Sequence, residues 1–249
     1  MIKFFRHIRK SLLMENKTGK YFKYAIGEIV LVVIGILIAL SINNWNETRK
    51  QNNQTNSFLL EIAKDIKQDI VILKVHKSRR DSVLKWNQKV RNNYALDINN
   101  LHDFKKAERF FYEYYFTPNT KGIESLKNSG LITQINNQQI DSLLQSYYAQ
   151  VEHIKNKEIS YNTVIENVEF KFKTELPVDK YMFLLNAKTV DENLGTNFKK
   201  RENELFEYYN SNIFKVGVIR SAREGTNSYK RLIDIGESYI NEVKHLNDD

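Results

Sequence analysis

The sequence of 249 residues contains no cysteine, only two prolines and only nine glycines. The absence of cysteine excludes disulfides, thiolate nucleophiles and cysteine-based metal sites. The scarcity of Pro and Gly favours long helices over a sheet protein with many turns.

Signatures of catalysis are missing as well. The chain has no P-loop, no dinucleotide-binding glycine pattern, no G-x-S-x-G element and no helix-spaced pair among its five scattered histidines. We therefore predict that the protein is not an enzyme and has no catalytic residue, metal site or cofactor. A site assembled from residues that lie far apart in the sequence is the alternative.

One long apolar run stands out against this polar chain. Every residue from Ile29 to Leu40 is apolar or Gly, and the run extends outward to Tyr24 and Trp45 with Glu28 as its only charged residue. About 22 residues at roughly 1.5 Å each span the hydrocarbon core of a bilayer. The run predicts a transmembrane helix over residues 24–45. A buried core helix is the competing interpretation, but such helices are rarely apolar on all faces.

The basic charge is concentrated before this run. Residues 1–23 carry seven Lys and Arg against one Glu, whereas residues 46–249 hold 31 basic and 28 acidic residues. This pattern predicts contact with lipid headgroups and no nucleic-acid binding. By the positive-inside rule, residues 1–23 are a cytoplasmic segment and residues 46–249 an extracytoplasmic domain. The predicted membrane-interface residues are Lys3, Arg6, Arg9, Lys10, Lys20, Lys23 and Trp45.

Two features of the N-terminal region have alternative interpretations. Ala39-Leu40-Ser41 fits a signal-peptide cleavage site, but the spanning length of the run favours an uncleaved anchor. Residues 2–13 are either an amphipathic helix on the inner leaflet or a basic tail that only fixes the topology.

Within the span, Glu28, Gly35 and Ala39 suggest a contact with a second transmembrane helix. Small residues four apart allow two helices to approach closely, and an acid can form a hydrogen bond across them. The alternative is that Glu28 reaches toward Lys23 and the headgroups.

The region after the span has helical periodicity. A helix follows from Phe58, a second is predicted over 101–116, and a third over about 120–129 ends at Gly130. The fourth is predicted to begin with a capping box at Asn136 and Gln139. Two heptad rows run along it: the first is Ile140, Tyr147, Ile154, Tyr161 and Val168, and the second is Leu144, Val151, Glu158, Ile165 and Phe172. A last helical region covers about 198–246 and is interrupted near 221–228. The predicted fold is all-α: one N-terminal transmembrane helix followed by an antiparallel bundle of long helices.

The aromatic run 110–116 has two interpretations. It either lines a ligand pocket or, as is more common for such runs, supplies core packing with a few tyrosines at the surface.

Several motifs resemble one known family. The residues that carry the resemblance are Tyr24-Ala25-Ile26-Gly27-Glu28, the end of the span at Asn43-Asn44-Trp45-Asn46-Glu47, and the segments Thr117-Pro118-Asn119-Thr120 and Leu126–Gly130. In these residues the chain resembles a family of single-pass bacterial membrane proteins of unknown function, common in Bacteroidota. The resemblance implies a bacterial inner membrane protein with a periplasmic domain, and implies no catalytic residues.

We therefore expect a membrane-anchored protein that contacts the lipid bilayer and another membrane or envelope protein, with self-association as a further interpretation. The alternative function is an extracytoplasmic small-molecule sensor. A cytoplasmic segment of 23 residues would require such a sensor to signal through a partner.

Overall fold

The computed structural model describes residues 18–92, 112–175 and 226–247 and the single position 215. Four α-helices form in these ranges: α1 (Thr18–Asn92), α2 (Lys121–Asn128), α3 (Gln138–Glu175) and α4 (Asn227–Lys244). Two short 3-10 helices cover Leu131–Gln134 and His245–Asn247. The described part of the chain contains no strand, so its helical class agrees with the prediction.

Residue contacts divide the chain into two units, Met1–Asn56 and Ser57–Asp249. In the first unit, α1 contains a stretch that is long and apolar enough to cross a membrane, and none of its most apolar residues is buried. Apolar side chains are exposed on every face of this stretch in the part of the chain that the structure describes. The interval 46–56 is helical and belongs to α1.

The second unit has one apolar core. Each helix contributes its apolar stripe because burying that stripe against other helices is the main source of helix stability. The largest fully buried side chains come from α1, α2, α3 and α4, and they are Leu59, Ile62, Ile66, Leu73, Leu126, Ile140, Tyr147 and Tyr239.

Short polar contacts fix the junction between α2 and α3. Gly130 has a φ of 73°, so the prediction of a left-handed residue after this helix is confirmed. The predicted capping box at Asn136 is wrong by one position: Asn137 Oδ1 accepts the backbone N–H groups of Gln139 at 2.9 Å and Ile140 at 3.0 Å. The Gln139 side chain does not reach back but donates to Glu242. The helix begins one residue later than predicted. The prediction was wrong because Asn136 and Asn137 fit the sequence pattern of a cap equally well.

Interhelical contacts give the chain direction of the long helices in the second unit. Gln139 near the start of α3 contacts Glu242 near the end of α4, and Gln150 further along α3 contacts Ser228 at the start of α4. These two helices therefore run in opposite directions.

By contrast, α1 and α3 run in the same direction. Asp69 of α1 contacts Tyr147 of α3, and Arg80, further along α1, lies over the ring of Tyr161, further along α3. The chain between them includes residues 112–120, which have no regular secondary structure, run the opposite way and lie along both helices. We call them the extended segment because buried and exposed side chains alternate at its start.

The predicted helix over 101–116 is wrong where it can be compared with the structure. Residues 101–111 lie outside the described residues, and 112–116 are not helical. Tyr114 and Phe116 are buried while Glu113 and Tyr115 are exposed, which is the alternation of an extended chain. The aromatic residues conceal this period in the sequence because nearly every position in the run is apolar or amphipathic.

The fourth and last predicted helices differ in how much of each is described. The fourth extends over 38 residues as α3 and contains both of the predicted heptad rows. The last is described only as α4. Its predicted beginning and residues 221–225 of the interruption predicted near 221–228 lie outside the described residues, whereas residues 227 and 228 are already helical.

Candidate functional site: a polar cluster along the extended segment

The backbone of the extended segment is bound by side chains of the helices. The Tyr114 N–H donates to Asn162 Oδ1 at 3.1 Å, and Asn162 Nδ2 donates to the Tyr114 carbonyl at 2.8 Å. Both residues are buried, so these bonds replace the water and strand partners that an extended backbone otherwise requires. Asn162 therefore performs the role that a neighbouring strand plays in a sheet.

Glu158 is the one charged residue in the heptad rows predicted for α3, and it is only 7 % exposed. Its Oε2 accepts the Phe116 N–H at 2.7 Å, and its Oε1 accepts the Tyr229 hydroxyl at 2.6 Å. Burial raises the pKa of Tyr229 and the Glu158 hydrogen bond adds to this, so the phenol stays a donor. The carboxylate joins α3 to both the extended segment and α4.

Two aspartates of α1 hold the next part of the chain. Asp69 Oδ1 accepts the backbone N–H of Asn119 at 2.9 Å and its Nδ2 at 2.7 Å, and Oδ2 accepts the Tyr147 hydroxyl at 2.9 Å. Burial raises the pKa of Asp69, although these hydrogen bonds oppose the increase. Asp65 Oδ2 accepts the Gly122 N–H at 2.8 Å. The carboxylates thereby satisfy main-chain donors at the entry to α2.

Arg80 lies among aromatic rings. Its guanidinium carbon is 3.8 Å from the Tyr161 ring centroid and 4.8 Å from that of Tyr114, within the range of cation–π attraction. The two rings are 5.9 Å apart in an edge-on arrangement. Burial raises the pKa of the Tyr114 phenol, and the charge of Arg80 and a hydrogen bond from Arg80 both oppose the rise.

His76 contacts the same aromatic group from α1. Its ring lies 6.2 Å from that of Tyr114 and 6.3 Å from that of Tyr229, both edge-on. Burial lowers the pKa of His76 and the Arg79 charge adds to this, while the Glu158 charge opposes it. The imidazole is therefore neutral at physiological pH.

A small pocket opens beside these groups. Its lining includes Arg80, Tyr114, Lys157, Glu158 and Tyr229, and its cavity of about 20 Å³ holds one or two water-sized groups. Chemically, the cluster supplies a cation, a carboxylate already engaged by two donors, and aromatic walls. Within the described residues, no group of three or more His, Asp or Glu is arranged to hold a metal ion.

The predicted membrane residues belong to the other unit. Trp45 is exposed with the Arg49 guanidinium 5.4 Å from its ring, Lys23 is exposed, and Lys20 lies in α1. Glu28 is half-buried, whereas Gly35 and Ala39 are exposed. The roles of all these residues stay predictions, and the remaining four, Lys3, Arg6, Arg9 and Lys10, lie outside the described residues.

The polar cluster was missed in the sequence although a signal exists. In α1, positions 59, 66, 73, 80 and 87 and positions 62, 69, 76, 83 and 90 form two heptad rows. Their polar members include Asp69, His76 and Arg80, and all three line the extended segment or its aromatic contacts. Polar residues at core positions of a heptad thus mark this site, as Glu158 does in α3.

A sequence profile of DUF6090, a family of unknown function, matches residues 28–195. The chain belongs to the DUF6090 family. The matched range includes most of α1, the extended segment, α2 and α3, and it therefore contains Asp69, Arg80, Glu158 and Asn162. The α4 contribution to the pocket, Ser228 and Tyr229, lies beyond the part matched to DUF6090. No curated protein and no solved structure matches the chain.

Proposed function

We propose that this DUF6090 protein is a membrane-anchored interaction protein, with residues 1–23 in the bacterial cytoplasm, one transmembrane helix over 24–45 and a periplasmic helical domain over 46–249. The observation that carries the anchoring is the exposure of apolar side chains on every face of α1 between Phe22 and Trp45. Such a surface is stable in lipid and costly in water. The seven basic residues before it support a cytoplasmic N-terminus.

For the outer domain, we propose a bundle of the long helices. The contacts of α4 with α1 and with α3 support a packing in which α4 is antiparallel to both of these helices. No catalytic role is proposed for the buried carboxylates, because each of Asp65, Asp69 and Glu158 already accepts hydrogen bonds that stabilise the fold.

An exposed apolar patch on α1 supports the interaction role. Val71, Ile72 and Val75 are 63 %, 41 % and 45 % exposed, and residues 71 and 75 lie one turn apart on one helix face. Clustered apolar exposure favours a protein contact, whereas single exposed residues such as Ile159 are ordinary. The partner proposed here is another envelope protein, with a second copy of this chain as the other outcome.

Two experiments test the proposal. Alkaline phosphatase fused after Asp249 should be active in bacteria, because it folds only outside the cytoplasm. An inactive enzyme fusion together with a fluorescent cytoplasmic reporter would overturn the orientation, and recovery of the full chain in the soluble fraction would overturn the anchoring.

Cross-linking in membranes followed by purification should recover a reproducible partner. The substitution Val71→Lys should remove that partner, because it places a charge in the patch. Ile159→Lys, at an exposed apolar position of α3, is the matched control and should retain it. If both variants fail to recover the partner, or if both recover it, the assignment of the patch is contradicted.

A second candidate function is an extracytoplasmic small-molecule sensor. The specific observation in its favour is the pocket beside Arg80, where a buried cation borders an accessible cavity. A screen for ligands that raise the melting temperature of the full chain in detergent tests it, because binding to the folded state alone stabilises that state.

A further inference from the structure

The charge on Arg80 has an unusual environment for a buried group. The residue is 6 % exposed, and among the described residues no carboxylate lies within ion-pair distance of its guanidinium. Burying a charge is expensive unless it is paired, and buried arginines are normally paired with a carboxylate or phosphate. The two tyrosine rings attract the cation but cannot accept the in-plane hydrogen bonds that a guanidinium donates.

The nearest acidic side chain in the pocket has its own partners. Glu158 already accepts one hydrogen bond on each oxygen, from Tyr229 and from the backbone of Phe116. The pocket also contains Lys157, so its charged lining is two cations and one anion. The Tyr114 hydroxyl is buried in the same place, and the only group that it meets there is the donor Arg80, so among the described residues its own proton has no acceptor. The cavity thus has a surplus of positive charge and of donors.

We propose that the pocket beside Arg80 binds a small carboxylate, whose oxygens pair with the guanidinium and accept the Tyr114 hydroxyl. This inference rests on the sensor function proposed above and names the ligand class. The planar fork of an arginine matches the two oxygens of a carboxylate. A cavity of about 20 Å³ admits a carboxylate end group more readily than a phosphate, which is tetrahedral and carries more oxygens.

The competing explanation is that Arg80 is a packing residue whose stacking on Tyr114 and Tyr161 is its whole role. The two explanations predict opposite effects of removing the charge. If the guanidinium binds an anion, an apolar side chain of similar length should be tolerated in the absence of ligand and should abolish the stabilisation by ligand. If stacking is the whole role, the same change should lower the stability of the fold, and neither protein should be stabilised by ligand.

The experiment measures the melting temperature of the full chain in detergent against sodium acetate, with sodium chloride at equal ionic strength as the reference. Acetate at about ten times its dissociation constant should raise the melting temperature by about 3–6 °C. Arg80→Met should remove this shift. Arg79→Met, which removes an exposed arginine from the same helix, is the matched control and should retain it.

Each remaining outcome decides between the explanations. An acetate shift that persists in Arg80→Met, or its absence in the wild type, overturns the proposal, and an equal shift with inorganic phosphate overturns the carboxylate class. If Arg80→Met does not fold, Arg80→Lys is used, and it should weaken acetate binding at least tenfold because lysine lacks the planar fork. A shift with an uncharged metabolite that Arg80→Met leaves intact would retain the sensor function and reject this ligand class.

Discussion

Replacing Asn162 by leucine tests whether side chains of α3 hold the extended segment. Leucine has as many side-chain heavy atoms as asparagine and a higher helix propensity, but it can neither accept the Tyr114 N–H nor donate to the Tyr114 carbonyl. The substitution therefore removes two hydrogen bonds and leaves two buried main-chain groups without partners.

The magnitude follows from the burial of Tyr114, which is 5 % exposed. Each unpaired buried group costs about 1–3 kcal/mol, so Asn162→Leu loses roughly 2–6 kcal/mol. The more apolar side chain recovers about 1–2 kcal/mol. We expect a net decrease of about 1–4 kcal/mol in the free energy of unfolding of the outer domain.

Urea unfolding of the full chain in detergent, followed by tryptophan fluorescence, measures this loss. Trp86 lies in α1 within the second unit and is half-buried, so its emission reports on that unit. Hydrogen exchange at the amides of Tyr114 and Phe116 gives a local measurement, and both should exchange faster in the variant.

Asn167→Leu is the matched control. Asn167 is exposed on the same helix and donates only to the carbonyl of Thr163 one turn earlier, so its loss should change stability by less than about 0.5 kcal/mol. If Asn162→Leu is as stable as this control and the Tyr114 amide keeps its protection, the extended segment is held by its aromatic side chains alone and the backbone argument is wrong.

Three further substitutions test other parts of the second unit. Asp69→Ala removes the acceptor of three hydrogen bonds and should cost about 2–4 kcal/mol in urea unfolding, whereas Asp69→Asn should cost less because its oxygen still accepts. Gly122→Ala places a methyl group 2.8 Å from the Ile62 backbone nitrogen and should cost about 1–3 kcal/mol; an unchanged melting temperature would contradict that close approach. Burial lowers the pKa of His76, so when the pH falls below the ordinary histidine pKa of about 6.5, the unfolded chain binds a proton more readily than the folded chain does. The wild type should therefore lose stability relative to His76→Phe as the pH falls from 7 to about 5. Parallel pH profiles of the two proteins would refute this.

The sequence could predict the parts of the fold that depend on local periodicity. The five apolar positions of the first heptad row in α3, from Ile140 to Val168, are all buried. Gly130 could be predicted as a helix terminator because its left-handed conformation is nearly free only for glycine. These features follow from residues that lie within a few turns of each other.

The extended segment could not be predicted in the same way. Tyr114 and Phe116 have their backbone partners 48 and 42 positions away, in the middle of α3. Helical propensity and an aromatic run favour a helix when no partner is known, because a helix satisfies its own backbone hydrogen bonds. Here the Asn162 amide and the Glu158 carboxylate satisfy the backbone hydrogen bonds instead, and no local sequence pattern predicts that these distant side chains do so.

The polar residues at core heptad positions connect the fold to the proposed ligand site. A buried polar side chain costs stability unless it has a partner, so each such residue requires one. Asp69 and Glu158 have theirs in the backbone of the extended segment and in the hydroxyls of Tyr147 and Tyr229. Arg80 occupies the same kind of position, yet the described residues offer it two aromatic rings and the Tyr114 hydroxyl but no carboxylate. The rule that accounts for the two acids therefore requires a partner for this cation too, and the proposed carboxylate ligand would supply it.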